Sequence, residues 1–288
     1  MKTRKLIPFA IISILFLSIS VLSSCKKDNP ITMDTATSGS EDLNANADRF
    51  QESEGVGSDV DVISDQAIEL NGIEMRLSST SDDSRILSCA TVTNDTVNRV
   101  ITVDFGTGCT GHNGHTRSGQ IIIAYNGNDY FAAGFQRTIT FNNYYIDQRH
   151  VEGTRIITNN GLNGSGNLNW TINAQNMRIT RPNGIFHTWN SLRNREMTSG
   201  GSTSTDPLDD VFSVTGNSTG TNSHGDSCSA TITNALIKQG SCHYRFVSGT
   251  VEITRTNRPA LTLDYGNGTC DNLATITRNG VTRTIRIH

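Results

Sequence analysis

The chain predicts an all-β protein: an antiparallel meander of about a dozen strands, folded as a sandwich or an open, flattened barrel with duplicated units, behind a short acidic helical segment. Three observations carry this. From Ile86 onward the apolar period is two, so that Leu168, Trp170 and Ile172 alternate with Asn167, Asn169, Thr171 and Asn173, and Ile101-Val103-Phe105, Ile139-Phe141 and Leu261-Leu263-Tyr265 behave alike. Turn signals recur along the chain: Asn126-Gly127, Asn160-Gly161, Asn183-Gly184, Asn267-Gly268 and Asn279-Gly280. Asn-Gly accepts the positive φ that tight hairpins demand. The third observation is an internal echo between residues 101–109 and 261–270.

At the N-terminus, Lys2, Arg4 and Lys5 precede an apolar run from Leu6 to Leu22, and small Ser23 and Ser24 come before Cys25. A cationic start, a short apolar middle and small residues before a cut mark a secretory signal over residues 1–24. The run is short for a membrane span, which needs about 20 apolar residues. Leu22-Ser23-Ser24-Cys25 resembles the bacterial lipobox, which implies cleavage before Cys25 and lipid on that residue. An ordinary signal peptide or an uncleaved anchor helix is the alternative. Residues 25–40 are rich in Asp, Asn, Ser and Thr, so they read as a disordered tether reaching about 20 Å.

The next stretch, 41–83, is acidic and partly helical. Leu43, Ala47, Phe50, Val60, Ile63, Ala67 and Ile68 fall roughly on one helical stripe. Gly55 and Gly57 interrupt it, which predicts one or two short helices. Asp59, Asp61, Asp65 and Glu69 read as a solvated acidic face, since the glycine of a calcium loop is missing. From Asp28 to Asp83 there are 14 acidic residues and two basic ones, a balance of −12; from Ser84 to His288 there are 13 and 17, a balance of +4. The arginines of the second part are scattered singly, without the cluster or stripe that nucleic acid needs, so no nucleic-acid partner is expected.

Residues 84–288 form the β domain. Within it, Ile101-Thr-Val-Asp-Phe-Gly-Thr-Gly-Cys109 is echoed by Leu261-Thr-Leu-Asp-Tyr-Gly-Asn-Gly-Thr-Cys270, and Val151-Glu-Gly-Thr154 by Val247-Ser-Gly-Thr250. Such distant copies suggest duplicated β units rather than a short-period solenoid. With Cys25 taken by lipid, Cys89, Cys109, Cys228, Cys242 and Cys270 remain. An exported protein meets an oxidising compartment, and no pair has the Cys-x-x-Cys spacing of zinc sites. Cys109 and Cys270 hold matching positions, each with a cysteine upstream, which favours Cys89–Cys109 and Cys242–Cys270. Pairing of Cys228 with Cys242 across a hairpin stays open.

Ser24-Cys25-Lys26-Lys27-Asp28, Asp104-Phe-Gly-Thr-Gly-Cys109, Thr138-Ile-Thr-Phe-Asn-Asn-Tyr-Tyr145, Val151-Glu-Gly-Thr154 and Asp264-Tyr-Gly-Asn-Gly-Thr-Cys-Asp271 occur in an order that resembles a group of Bacteroidota lipoproteins without an assigned function. Cys228 is extra to that pattern, and His112 and His115 stand where Asp and Arg would be expected. The resemblance implies an outer-membrane lipoprotein, facing either the periplasm or the exterior. It supplies no catalytic residues.

Each chemically suggestive motif has a plainer account. Asp104 and Asp264 suit backbone acceptors of the glycine turns that follow them, or partners of Arg117 and Arg278. His112 and His115 offer a metal two imidazoles, but no further ligands adjoin them, so they read as solvated loop residues. Among the aromatics, Tyr144, Tyr145, Trp170 and Trp189 could form a flat ligand platform, although alternation places most rings in the core. Tyr144 and Tyr145 are adjacent and must point to opposite faces. No Gly-x-Ser-x-Gly or His-Glu-x-x-His motif is present, and no catalytic residue, metal site or cofactor is expected. The sequence therefore leads to a lipid-anchored envelope protein with a non-enzymatic binding or structural role. Its membrane contact is the N-terminal lipid, and a glycan or another envelope protein is its partner. A carbohydrate-active enzyme or glycan-binding module is the alternative, and a dimer linked through Cys228 is a further one.

Overall fold

The structure is a computed structural model and describes residues 40–73, 82–203, 206 and 208–287. The expected signal peptide, Cys25 and all of the tether but Ser40 lie outside the described residues, as does the stretch 74–81. Helix α1 spans Ser40–Leu70, and a 3-10 turn follows at Asp82–Cys89. The strands are β1 (Thr91–Asp95), β2 (Val100–Asp104), β3 (Cys109–Thr110), β4 (Thr116–Tyr125), β5 (Gln136–Ile146), β6 (Arg149–Leu162), β7 (Leu168–Thr180), β8 (Phe186–Ser199), β9 (Val211–Asn222), β10 (Ser227–Gln239), β11 (Arg245–Arg255), β12 (Arg258–Asn267), β13 (Leu273–Arg278) and β14 (Val281–Arg286).

These strands make one antiparallel meander in chain order, with the two-residue β3 pairing with the start of β4. The sheet does not close: β1 and β14 are its two edges. Of the five Asn-Gly pairs named above, four lie at strand ends or in connections. The fifth, Asn160-Gly161, lies inside β6 instead, at a register shift between Asn159 and Gly161. There the positive φ of Gly161 serves a bulge, not a hairpin. The echoed glycines Gly153 and Gly249 also sit at register shifts, against β7 and β12 respectively.

The sheet curls around α1. Val60, Ile63 and Ile68 of the helix pack with Ile101, Ile123, Ile139 and Ile157, whereas Ala47 and Phe50 pack with Leu236, Val251 and Leu263. Strands from both ends of the meander thus meet one helix, which a flat sheet could not do. The outward face is hydroxyl and amide. Its cross-strand pairs include Thr188 with Thr221 at 2.9 Å, Thr233 with Thr250 at 2.7 Å and Thr277 with Thr282 at 2.8 Å. That is the reverse of a membrane-spanning barrel, whose outer band is apolar.

The helix differs from the sequence expectation in two respects. It is continuous across Gly55 and Gly57, because tertiary packing on both sides outweighs the cost of about 1 kcal/mol for each helical glycine. Gly57 is also there for space: a Cβ on it would stand 3.1 Å from Nη1 of Arg155. Secondly, Asp59, Asp61 and Asp65 are not a solvated face. They point into the concavity and meet arginines.

Cys89 lies with Cys109 (Cα–Cα 5.8 Å) and Cys242 with Cys270 (5.6 Å) as disulfides. Cys228 belongs to neither bridge, so the pairing of Cys228 with Cys242 does not occur. Asp104 accepts a hydrogen bond from the Gly106 amide at 2.7 Å, and Asp264 from the Gly266 amide at 2.8 Å. Each aspartate thus clamps the glycine turn that follows it.

Candidate functional site

Arginines that look scattered along the chain converge in space. Arg137 and Arg155 stand two residues before Ile139 and Ile157, and alternation turns each into the concavity beside its isoleucine. Arg193 likewise shares a face with Trp189 and Ser191. Arg117 and Arg137 are each only 1% exposed. Each meets a helix carboxylate: Arg117 pairs with Asp59, Arg137 with Asp65 at 2.5 Å, and Arg193 with Glu54 at 2.8 Å. Arg155 holds Asp61 through two hydrogen bonds of 2.6 and 2.9 Å. Burial alone would raise the Asp61 carboxyl, but Arg155, with Arg195 and Arg137 behind it, more than offsets this and holds it below the ordinary carboxylate range. Buried charge of this kind is tolerated only when it is paired. The row fixes the helix, with Asp59, Asp61, Asp65 and Glu54 each paired to an arginine.

Two hollows lie on opposite faces of the sheet where β8 to β11 run together. Gly220 forms part of the wall between them. A Cβ on it would stand 1.9 Å from the Thr188 carbonyl oxygen, so only glycine fits this approach of β9 to β8. The outer hollow is an open groove of about 610 Å³. It is lined by Thr188, Asn190, Thr219, Thr221, Ser229 and Thr254, with Arg255 among the remaining residues. Its hydroxyls are held in pairs, Ser229 with Thr254 at 2.6 Å and Thr188 with Thr221 at 2.9 Å. Each hydroxyl keeps acceptor capacity for an outside ligand.

The inner hollow is small, about 60 Å³, between the first half of α1 and β8 to β11. Phe50, Trp189, Ala230 and Ile253 give it apolar walls, and Asn46, Arg49, Ser53 and His187 bring polar groups to it. Ser53 Oγ lies 3.0 Å from His187 Nε2 and 2.9 Å from the Arg49 carbonyl oxygen. The other ring nitrogen of His187 faces Glu52 Oε2 at 3.8 Å. Glu52 is itself held by Arg149 at 3.0 Å and Arg181 at 2.7 Å. Trp189 stacks on the imidazole with ring centres 5.4 Å apart. Burial, chiefly, pushes the His187 imidazole down to about 4, with Arg181 and Arg49 adding to it and Glu52 opposing, so the ring is neutral at pH 7.

The aromatic platform expected from Tyr144, Tyr145, Trp170 and Trp189 does not assemble. Tyr144 and Trp170 are core residues, the latter under the Arg195 guanidinium at 5.0 Å. Trp189 lines the inner hollow. Tyr145 alone of the four reaches the outer face, 38% exposed and stacked on His150 at 4.6 Å. Burial dominates here because alternate residues of these strands face a helix-filled interior. His115 is tied to Asp147 at 2.6 Å, and His112 is exposed. Among the described residues no group of three or more His, Cys, Asp or Glu is placed to hold a metal ion.

Sequence reasoning missed the Ser53–His187 contact, which joins residues 134 apart. The arginine row had a readable signal: arginine at the dry parity of a strand, two residues from isoleucine. No known protein family matches the sequence, and neither a curated protein nor a solved structure shows significant similarity to it.

Proposed function

We propose that this chain is a lipid-anchored envelope protein whose β domain binds a glycan in the outer groove. The observation that carries the reading is the groove's lining. Thr188, Asn190, Thr219, Thr221, Ser229 and Thr254 present hydroxyl and amide groups along an open hollow of about 610 Å³, and two cross-strand pairs, Thr188 with Thr221 and Ser229 with Thr254, hold four of them in place. Prefixed polar groups lose little entropy when a ligand takes their remaining hydrogen-bonding capacity. A polyhydroxylated chain matches such a surface, whereas the Arg255 guanidinium beside it is already held by Asp226 at 2.5 Å. A binding role fits better than glycan cleavage, because neither hollow is lined by the two facing carboxylates that most glycosidases use.

The lipobox at Leu22–Cys25 supports the anchoring part of this proposal. A Cys25→Ala chain should appear in the soluble fraction, and its retention on membranes would defeat that part. For the groove, titration calorimetry with envelope glycans against wild type and Thr188→Val/Thr221→Val is decisive. Each lost neutral hydrogen bond is worth about 1 kcal/mol, so the double variant should bind on the order of ten-fold or more weakly. Equal affinity, or no binding of any envelope glycan by wild type, sinks the groove reading.

A further inference from the structure

We propose that Ser53 is a nucleophile, with His187 as its general base, and that the inner hollow accepts the short acyl group of an ester that the pair hydrolyses. Ser53 and His187 do not border the outer groove, so this activity does not depend on glycan binding there, although Thr188, Thr219, Gly220, Thr221, Cys228 and Ser229 border both hollows.

An activated serine needs a base within hydrogen-bond reach and a group that orients the base. The Ser53–His187 distance of 3.0 Å satisfies the first requirement. Glu52 satisfies the second through the tautomer. A bare nitrogen lone pair aimed at a carboxylate 3.8 Å away is repelled, so the ring hydrogen belongs on Nδ1. That leaves Nε2 bare and facing Ser53. Trp189, stacked on the ring, keeps it from rotating away. The imidazole is unprotonated at physiological pH, as a base must be, and Glu52 opposes the burial that disfavours its charged form. The serine hydrogen has two acceptors, Nε2 and the Arg49 carbonyl oxygen, and only the imidazole can carry it off.

The rest of the hollow fits the remaining tasks. Asn46 and Arg49 stand seven and four residues before Ser53, on the same side of α1, and both line the cavity. Their side-chain N–H groups are the nearby donors for an oxyanion. Phe50, Trp189, Ala230 and Ile253 give apolar walls to this half-open hollow of about 60 Å³, room for a short acyl chain but not a fatty one. Ser53 and Arg49 keep partial exposure, which gives the ester alcohol a side on which to remain.

The step balances with water as the second reactant. Ser53 Oγ bonds to the acyl carbon while its proton passes to His187 Nε2. The carbon–alcohol oxygen bond then breaks, and the alcohol leaves with that proton. Water attacks the acyl-serine, giving its proton to Nε2, and the acid departs as Ser53 regains a hydrogen. Glu52 is a positioning residue here, acting through the ring.

A fluorophosphonate probe on the full chain, followed by peptide mapping, tests the proposal. Wild type should be labelled at Ser53, and Ser53→Ala and His187→Ala should lose the label. Hydrolysis of p-nitrophenyl acetate should fall on the order of 100-fold or more in both variants. Glu52→Gln should move the acid limb of the labelling-rate profile to lower pH, which a purely structural residue would not do. The wild-type result stands even if a variant fails to fold. No label on wild type at saturating probe overturns the proposal. So does a label at another serine, such as Ser58, which lies 3.1 Å from Lys238.

Discussion

Asp61 of α1 and Arg155 of β6, 94 residues apart in sequence, form a two-point ion pair inside the curved sheet. Both side chains are nearly buried, 9% and 11% exposed. Removing the carboxylate alone strands a desolvated guanidinium, so Asp61→Leu should cost about 3–5 kcal/mol in urea unfolding. Replacing both partners, as Asp61→Leu with Arg155→Met, should recover much of that loss. A single-variant cost under about 1 kcal/mol, the value of an exposed pair, would show that the contact is not desolvated in solution.

Gly55 and Gly57 make a contrast on the same helix. Nothing lies within 4 Å of a Cβ on Gly55, whereas one on Gly57 meets the Arg155 guanidinium at 3.1 Å. Gly55→Ala should therefore raise stability by about 0.5–1 kcal/mol, the ordinary gain at a helical position. Gly57→Ala should gain less or lose, because Arg155 is already committed to Asp61 and must shift. Equal gains in a thermal melt would refute the packing role given to Gly57.

Strand periodicity, four of the turns and the turn-clamping aspartates were legible, because each rests on neighbours in sequence. The cysteine pairs were legible through the echo of residues 101–109 in 261–270. The acidic helix was misread because its partners come from β4, β5, β6 and β8. A carboxylate such as Asp65 looks solvated until Arg137, 72 positions later, is folded onto it. Gly57 reads as a breaker for the same reason. Trp170 and Trp189 were visible as aromatics on alternating strands, but which hollow they border depends on the direction in which the sheet curls.

The two disulfides should contribute comparably. They close loops of 20 and 28 residues, and the entropy removed from the unfolded chain corresponds to about 3–4 kcal/mol in each case. Replacing Cys89 and Cys109 together by Ser, or Cys242 and Cys270 together, should lower the urea midpoint by similar amounts. Cys228→Ser lies outside both bridges and should leave the non-reducing mobility of the intact chain unchanged. A dimer band that depends on Cys228 would instead place that thiol between two chains.

His187 should make stability depend on pH in a defined window. In the unfolded chain its imidazole takes up a proton below about 6.5. In the folded protein burial holds it to about 4, so between these values the unfolded state carries more protons and stability falls as pH falls. The full difference is on the order of 3 kcal/mol, lost between pH 6.5 and 4 and present above 6.5. Asp61 and Glu54, whose carboxyls the neighbouring arginines hold low, add their own acid loss below about pH 4.5. Burial raises Asp65, which acts in the opposite direction, so total slope alone is not diagnostic. The wild-type curve minus the His187→Gln curve isolates the ring. That difference should be nearly flat above pH 6.5 and fall steadily toward pH 4. A flat difference throughout would mean that His187 is solvated, and the neutral ring required beside Ser53 would go with it.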